Sequence, residues 1–259
     1  MEMIRKRVHI HIPYPLLIER FDEIRERGLN PEIYFSGEDM DTLSLGDVRS
    51  VKRGLDERGA TITFHAPFMD LAPGGGDERV RQVTIDRYQQ LFHLADILQP
   101  MVIVVHSGYD RWRYDNNEQF WLQQSLKTWP PFVERAERIG AVIAMENVFE
   151  DKPDTLRMIV EHINAPNFRL CFDPGHWNLF SKIPLAGWFD EIGEYISEIH
   201  VHDNRGDRDD HLAIGDGEID FATVFQAARS CQQEILLAIE AHDEEVLWRA
   251  LKNLEGYGI

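Results

Sequence analysis

The stretch ERVRQVTIDRYQQLFHLADILQPMVIVVH, residues 78–106, contains the two patterns that decide the fold. Apolar residues recur from Leu91 to Leu98 with the spacing of one helix face, which predicts a helix over 78–98. The run VIVVH at 102–106 is short and β-branched, which is typical of a buried strand. The segment is therefore predicted to form one helix followed by one strand, and that strand ends in a histidine.

The same alternation of strand and helix runs through the whole chain. Strand-like runs occur at 7–12, 31–35, 61–65, 102–106, 141–146, 168–173, 197–202 and 234–240. Amphipathic helical stretches lie at 16–27, 47–58, 78–98, 118–139, 154–163, 185–195, 220–230 and 243–254. Eight such units predict parallel strands with helical crossovers, closed into a single (β/α)8 TIM barrel domain over residues 1–259. An open doubly wound sheet is the alternative, but it usually has fewer strands, and no GxGxxG follows the first strand.

Composition narrows the class of protein. The 259 residues carry a formal net charge of -18, and such a surface repels phosphate backbones, so tight nucleic-acid binding is not expected. The longest apolar runs have the length of strands, and no long apolar stretch follows the basic N-terminal residues, so we expect neither a membrane span nor a signal peptide. Cys171 and Cys231 are expected to be free buried thiols, which fits a cytoplasmic location.

Polar side chains gather at the predicted strand ends, where the chemistry of such barrels lies. Six consecutive strands end in metal-capable residues: His65, His106, Glu146, Asp173 with His176, His200 with His202, and Glu240. A single histidine or glutamate at such a place is usually structural. However, carboxylates that end apolar runs such as AVIAME and ILLAIE are costly to bury unless they are paired or bind a metal. The set predicts a divalent metal site, and mixed imidazole and carboxylate ligands suit zinc or manganese, and also iron or cobalt.

The stretch IHVHDNRGDRDDHLAIGDG, residues 199–217, adds further candidate ligands. His200 and His202 lie on the same side of the predicted strand, so either of them could be its metal ligand. Asp209 and His211 follow in the loop. Solvation explains a run of aspartates but not alternating histidines, whereas metal coordination accounts for both.

At these residues the chain resembles the xylose-isomerase-like TIM barrel superfamily. That superfamily includes sugar phosphate isomerases and epimerases and the endonuclease IV-like proteins of AP endonuclease family 2. The phrases that carry the resemblance are FHAPF around His65, VVHSGY around His106, MEN at Glu146, FDPGH with Asp173 and His176, HVHDN at 200–204, DDHLAIGDG at 209–217 and IEAH around Glu240. They span nearly the whole chain, and the set is specific although each phrase alone is weak.

The resemblance implies which residues bind metal, with one to three divalent ions. The central site, shared by the isomerases and epimerases, would be made by Glu146, Asp173, His200 and Glu240. In the endonuclease IV-like members, a second ion is held at the positions of His65, His106 and a bridging Glu146, and a third at those of His176, Asp209 and His211. All nine of these positions carry a suitable residue in this chain.

The favoured function is a metal-dependent isomerase or epimerase that acts on a small sugar or sugar phosphate. Proton transfer through an enediolate needs an acid and a base near a cation, and Glu146 and Glu240 are the natural catalytic pair. Candidate substrate-binding residues are Arg205, His176, His202 and His11. Arg205 resembles a substrate-binding arginine of the epimerases, but it would serve equally well to balance the neighbouring loop aspartates.

Two other functions compete with this one. A multi-metal phosphodiesterase, acting on abasic DNA or on another diester, is supported by the complete set of nine ligand positions. The acidic charge and the scarcity of basic residues after His65 weigh against DNA as its substrate. A non-catalytic binding module is the third option, but it would not need an intact acid–base pair. Relatives are often dimers or tetramers, so a homo-oligomer is one option for the assembly.

Overall fold

Eight parallel strands close into a barrel in the computed structural model, which describes residues 8–258. The strands are β1 (Val8–Pro13), β2 (Asn30–Tyr34), β3 (Thr63–His65), β4 (Val102–His106), β5 (Val142–Glu146), β6 (Phe168–Phe172), β7 (Ile196–Val201) and β8 (Leu236–Ile239). Each strand pairs with its neighbours in sequence order, and β8 pairs with β1 to close the ring. The predicted (β/α)8 barrel is therefore confirmed. Arg7, the first residue of the first predicted strand, and the basic N-terminal segment before it lie outside the described residues.

Helices connect the strands on the outside of the ring. They are α1 (Tyr14–Glu19), α2 (Phe21–Arg27), α3 (Gly37–Thr42), α4 (Leu45–Asp56), α5 (Glu78–Leu98), α6 (Glu118–Ser125), α7 (Pro130–Ile139), α8 (Asp154–Ile163), α9 (Pro174–Phe180), α10 (Leu185–Ile192), α11 (Phe221–Ser230) and α12 (Glu244–Gly256). The helix predicted over 118–139 is in fact two, because Pro130 and Pro131 cannot continue a helix and instead begin a new one. The helix predicted over 16–27 is likewise interrupted, at Arg20.

Strand alternation sends every second side chain into the ring. On β7, Glu198 and His200 are completely buried, and His202, the residue after the strand ends, is buried with them. A separate cluster of buried side chains that includes Val104 and Cys171 shares this inward face. The barrel interior therefore contains a cluster of apolar side chains, whereas histidines and carboxylates are concentrated at the carboxyl ends of the strands.

Two further expectations concern the cysteines and the membrane. Cys171 and Cys231 are both free, as expected, although only Cys171 is buried and Cys231 is partly exposed. Across residues 8–258, every helix is too short or too polar to cross a membrane.

Candidate metal centre at the carboxyl ends of the strands

Four side chains from the last four strands converge on one point at the top of the barrel: Glu146, Asp173, His200 and Glu240. Glu146 ends β5, Asp173 and Glu240 directly follow β6 and β8, and His200 lies within β7. Nδ1 of His200 lies 3.5 Å from Oε1 of Glu146, 3.6 Å from Oδ2 of Asp173 and 3.5 Å from Oε1 of Glu240. The closed ring thus brings together the four residues expected to form the central site.

The two histidines of the seventh strand occupy different positions. His200 alone has one nitrogen close to all three of these carboxylates. His202 instead places Nε2 at 2.9 Å from Oδ2 of Asp173, and its ring stacks on His211 with centroids 4.0 Å apart. The geometry therefore favours His200 as the strand-seven residue of the central group, with His202 beside it as a partner of Asp173.

The histidines keep the facing carboxylates ionised. Burial by itself would raise the pKa of Glu146, but the charges of His200 and His106 hold that pKa well below its usual range. Burial is likewise outweighed at Asp173, whose pKa is lowered mainly by His176 and His202. The pKa of Glu240 is also lowered, against the effect of burial, mainly by His200. A cation placed among these groups would therefore face negative oxygens.

Several buried nitrogens at the centre have no hydrogen-bond partner. Neither ring nitrogen of His200 has one, and Nδ1 of His202 and Nδ1 of His211 are also unpaired. A buried polar atom without a partner lowers stability by about 1–3 kcal/mol. Imidazole nitrogens and carboxylate oxygens are the donors that zinc and related divalent ions take from proteins. The residues at this centre therefore fit a divalent cation.

A second group of potential ligands surrounds the outer oxygen of Glu146. Oε2 of Glu146 lies 3.3 Å from Nε2 of His65 and 3.1 Å from Nε2 of His106. The potential ligand atoms of these three residues lie within 4.8 Å of one another. Because Oε1 of Glu146 faces His200 and Oε2 faces this group, the carboxylate lies between the two clusters, as a bridging ligand would.

A third group forms beside the centre from the loop that follows β7. Nε2 of His176 lies 3.4 Å from Oδ2 of Asp209, and Nε2 of His211 lies 3.1 Å from the same oxygen. Nδ1 of His176 lies 3.1 Å from Oε1 of Glu146, which connects this group with the centre. All nine residues identified as potential ligands are thus brought into one continuous cluster.

Asp203 holds the loop that carries Asp209 and His211. Its completely buried carboxylate accepts hydrogen bonds from the backbone N–H groups of Gly215 and Gly217, both at 2.9 Å. A Cβ at Gly217 would lie 2.2 Å from Oδ1 of Asp203, so only glycine fits there. This explains the Gly-Asp-Gly that closes the sequence stretch: Gly217 lets the backbone approach the buried carboxylate closely, and Gly215 adopts a left-handed backbone conformation with a φ of 89°.

The predicted substrate-binding residues fall in different places. His11 lines the central cavity and contacts Glu240, with its Nδ1 at 3.2 Å from Oε1. Burial disfavours the protonated ring, yet hydrogen bonds with Glu240 and Glu32 raise the pKa of His11 to about 9. His176 also lines the cavity, whereas His202 lies beneath its surface. Arg205 is exposed outside the cavity lining, and its guanidinium donates to the carbonyl oxygen of Asp216.

Two buried glutamates at this centre were not identified from the sequence. Glu32 on β2 and Glu198 on β7 are both completely buried. The pKa of Glu32 is lowered despite burial, mainly by the charge of His200, whereas burial raises the pKa of Glu198 well above its usual range. The signal was a glutamate inside each of the strand-like runs PEIYF and SEIHVH, where an ionisable group has to be explained.

A cavity of about 820 Å³ opens over the cluster. Its polar floor includes His65, His106, Glu146 and Glu240, and aromatic side chains such as Phe68 form its walls. Among the described residues that line it, Arg113 is the one lysine or arginine. The volume falls in the range of small-molecule pockets, about 300–1,000 Å³, so the site is suited to a small ligand.

Comparison with known proteins identifies the family. The model of the xylose isomerase-like TIM barrel family matches residues 30–256. The chain belongs to this family. An uncharacterized protein of Methanocaldococcus jannaschii is 32% identical over 205 residues, which cover 76% of this chain and 70% of that protein.

Solved structures of the same fold include a D-tagatose 3-epimerase-like protein. It is 27% identical, with a TM-score of 0.83, and the match covers 97% of this chain and 96% of that one. A protein of Thermus thermophilus, from a crystal soaked with zinc chloride, is 22% identical with a TM-score of 0.80, and the match covers 97% of both chains. At that identity the second likeness concerns the fold alone.

Proposed function

We propose that this member of the xylose isomerase-like family is a divalent-metal-dependent isomerase or epimerase of a small sugar or sugar phosphate. The observation that carries the proposal is the convergence of Glu146, Asp173 and Glu240 on Nδ1 of His200 at the floor of a cavity. The likeness to a D-tagatose 3-epimerase-like protein supports the same class of reaction. Zinc and manganese are the ions that best suit this donor set.

A bound ion, the two glutamates and His11 would act together on the substrate. A bound divalent ion would stabilise the negative charge that develops on the substrate oxygens. Glu146 and Glu240, on strands three apart in the ring, are held ionised or close to ionised, so either can accept the proton from the carbon beside the carbonyl. The C–H electrons pass into the enediolate. The carboxyl group that took the proton, or the other one after it has taken a proton from water, then returns a proton to carbon. His11 can donate a hydrogen bond to a substrate oxygen.

Charge favours a small substrate over a nucleic acid. The net charge of -18 repels a polyanion, and the cavity lining offers Arg113 as its one lysine or arginine among the described residues. A neutral sugar avoids that repulsion, and a sugar with a single phosphate meets less of it than a polyanion does.

A second candidate is a multi-metal phosphodiesterase, and two specific observations favour it. His65 and His106 face the outer oxygen of Glu146, and His176 and His211 both face Asp209. An isomerase that uses one ion does not need these outer groups. A phosphodiesterase would use them to hold further ions that position the nucleophile and the leaving group.

The decisive experiment compares both reactions in the same protein loaded with manganese or zinc. Purified protein is incubated in D2O with ketoses such as D-tagatose, and deuterium incorporation is measured by mass spectrometry. Hydrolysis of bis-p-nitrophenyl phosphate is measured in parallel. We expect the parent to incorporate deuterium and Glu240→Gln to lose this activity, because one of the two proposed proton-transfer carboxylates, which is also a candidate metal ligand, is gone. Exposed Glu245→Gln, five residues further along the chain, is the matched control and should keep it.

The double variant His106→Ala with Asp209→Ala separates the two candidates. Under the isomerase proposal it keeps a measurable share of the deuterium incorporation, because the central group is intact. If the parent instead hydrolyses the diester and the double variant loses both that hydrolysis and part of its metal content, the phosphodiesterase becomes the better function.

A further inference from the structure

Glu32 is buried inside the barrel beneath the metal centre. Its side chain is completely buried, and the strand register places it between His11 on β1 and Thr63 on β3. Among the described residues, its ion-pair partners are two histidines, His11 and His200. A buried carboxylate is costly unless its oxygens accept hydrogen bonds, so its partners determine what it does there.

Both oxygens of Glu32 face hydrogen-bond donors. Oε2 accepts from Oγ1 of Thr63 at 3.2 Å, and Oε1 accepts from Nδ1 of His11 at 3.1 Å. Nε2 of His200 lies 3.6 Å from the same Oε1, slightly beyond hydrogen-bond distance, and has no other partner. A small shift of the ring would bring this nitrogen into contact with a carboxylate that two other residues already hold in place.

The two nitrogens of His200 face different carboxylates. Nδ1 faces the three carboxylates of the central group, whereas Nε2 faces Glu32. A neutral imidazole that binds a metal through one nitrogen carries its proton on the other, and a carboxylate that accepts this proton fixes both the tautomer and the ring orientation.

We propose that Glu32 is a positioning residue of the metal centre, whose Oε1 accepts the Nε2–H of His200 and so presents a deprotonated Nδ1 to the ion. This inference rests on the proposed central metal site, but it does not depend on which substrate the protein converts. Thr63 and His11 hold the Glu32 carboxylate from its other sides, so the acceptor is fixed before the ion arrives.

Glu198 offers the sharpest contrast to this role. It is as completely buried as Glu32 and lies two residues before His200 on the same inward face, but neither of its oxygens has a hydrogen-bond partner. The potential ligand atoms of Glu32, Glu198 and His200 lie within 4.8 Å of one another. A cation between the two glutamates would take Nε2 of His200 as a ligand, and the positioning role excludes that arrangement.

The test measures zinc affinity, by competition with a chelating indicator, in the whole protein and in three variants. Carboxylates that hydrogen-bond a ligating histidine typically contribute about 10- to 100-fold to metal affinity. We expect Glu32→Leu to bind zinc about 100-fold more weakly than the parent, at the upper end of that range. Glu32→Gln should lose about tenfold, because its amide oxygen accepts the same hydrogen bond without a charge. Glu198→Gln, the matched control, should stay within about threefold of the parent, since Glu198 accepts nothing from His200.

A second measurement reports on the ring itself. In ¹⁵N-labelled zinc-loaded protein, the Nε2–H proton of His200 should resonate downfield, as a proton hydrogen-bonded to a carboxylate does, and Glu32→Leu should move this signal upfield even at saturating zinc. If Glu32→Leu does not fold, the tenfold loss in Glu32→Gln decides alone. The proposal would be overturned if Glu32→Gln bound zinc as tightly as the parent, or if Glu198→Gln lost as much zinc affinity as Glu32→Gln. It would also be overturned by a crystal structure with zinc between the two glutamates, or by a parent protein that does not bind zinc. A parent that binds zinc but converts no sugar refutes the proposed function only.

Discussion

Replacing Asp203 with asparagine should destabilise the protein, because Asp203 holds the loop that carries the third group of ligands. The buried carboxylate accepts four backbone N–H groups: Oδ2 accepts those of Gly215 and Gly217, and Oδ1 accepts those of Asn204 and Ile219. Asparagine has the same shape but only one acceptor oxygen. Whichever way its amide is turned, an NH2 group faces two N–H donors.

The magnitude follows from the two hydrogen bonds that are lost. A hydrogen bond to a charged group contributes about 1.5–3 kcal/mol, so the loss of two destabilises the protein by about 3–6 kcal/mol. For a domain of this size, each kcal/mol lowers the unfolding midpoint by about 2–4 °C. We therefore expect the thermal midpoint of Asp203→Asn, measured by circular dichroism with chelator present, to fall by at least about 6 °C.

Asp216 supplies the matched control in the same loop. Its carboxylate is about one-third exposed and pairs with the partly exposed Arg249 at 2.8 Å. Such surface pairs contribute at most about 1 kcal/mol, so Asp216→Asn should lower the midpoint by less than about 4 °C. Equal midpoints for Asp203→Asn and Asp216→Asn would refute the assignment of Asp203 as the residue that holds the loop.

Three further outcomes follow from the structure. Glu240→Gln should weaken divalent-metal binding by at least about tenfold, measured by calorimetry, because one ionised ligand is neutralised; affinity equal to that of Glu245→Gln would contradict this. Gly175→Ala places a Cβ 2.2 Å from Cε1 of His202, so it should lower both the unfolding midpoint and the metal content, and an unchanged midpoint would count against the close packing. Burial lowers the pKa of His9 to about 4, so the unfolded chain binds the extra proton as pH falls below 6.5. The stability that neutral His9 contributes is complete above pH 6.5, and the free energy of unfolding should fall by about 3 kcal/mol towards pH 4 as this contribution is lost. His9→Gln should lack this part of the fall when the two proteins are compared by urea unfolding.

Local sequence patterns were sufficient to predict the barrel and most of the residues on its polar floor. The helix over 78–98 and the strand over 102–106 have the bounds that were predicted, because a long amphipathic period and a β-branched run each define one element. Prediction failed where a local signal was overlooked, as at Pro130, which begins a new helix within the stretch 118–139.

The placement of histidines and carboxylates at the strand ends was also readable from the sequence. In parallel strands joined by helices, residues at the carboxyl ends all reach the same end of the ring. This is why His65 and Glu146, which are 81 residues apart, could be expected to meet, and their side chains lie 3.3 Å apart. What remained open in the sequence was the pairing of individual atoms.

Only the closed barrel decided those atomic pairings. Strand register and closure, which no local pattern encodes, set His200 with Nδ1 towards the central carboxylates and Nε2 towards Glu32. The same closure left Arg205 at the surface, bonded to a loop carbonyl. A one-dimensional pattern fixes which side of a strand a residue faces, whereas the contacts of its ring depend on residues from strands that are distant in the sequence and adjacent only once the ring has closed.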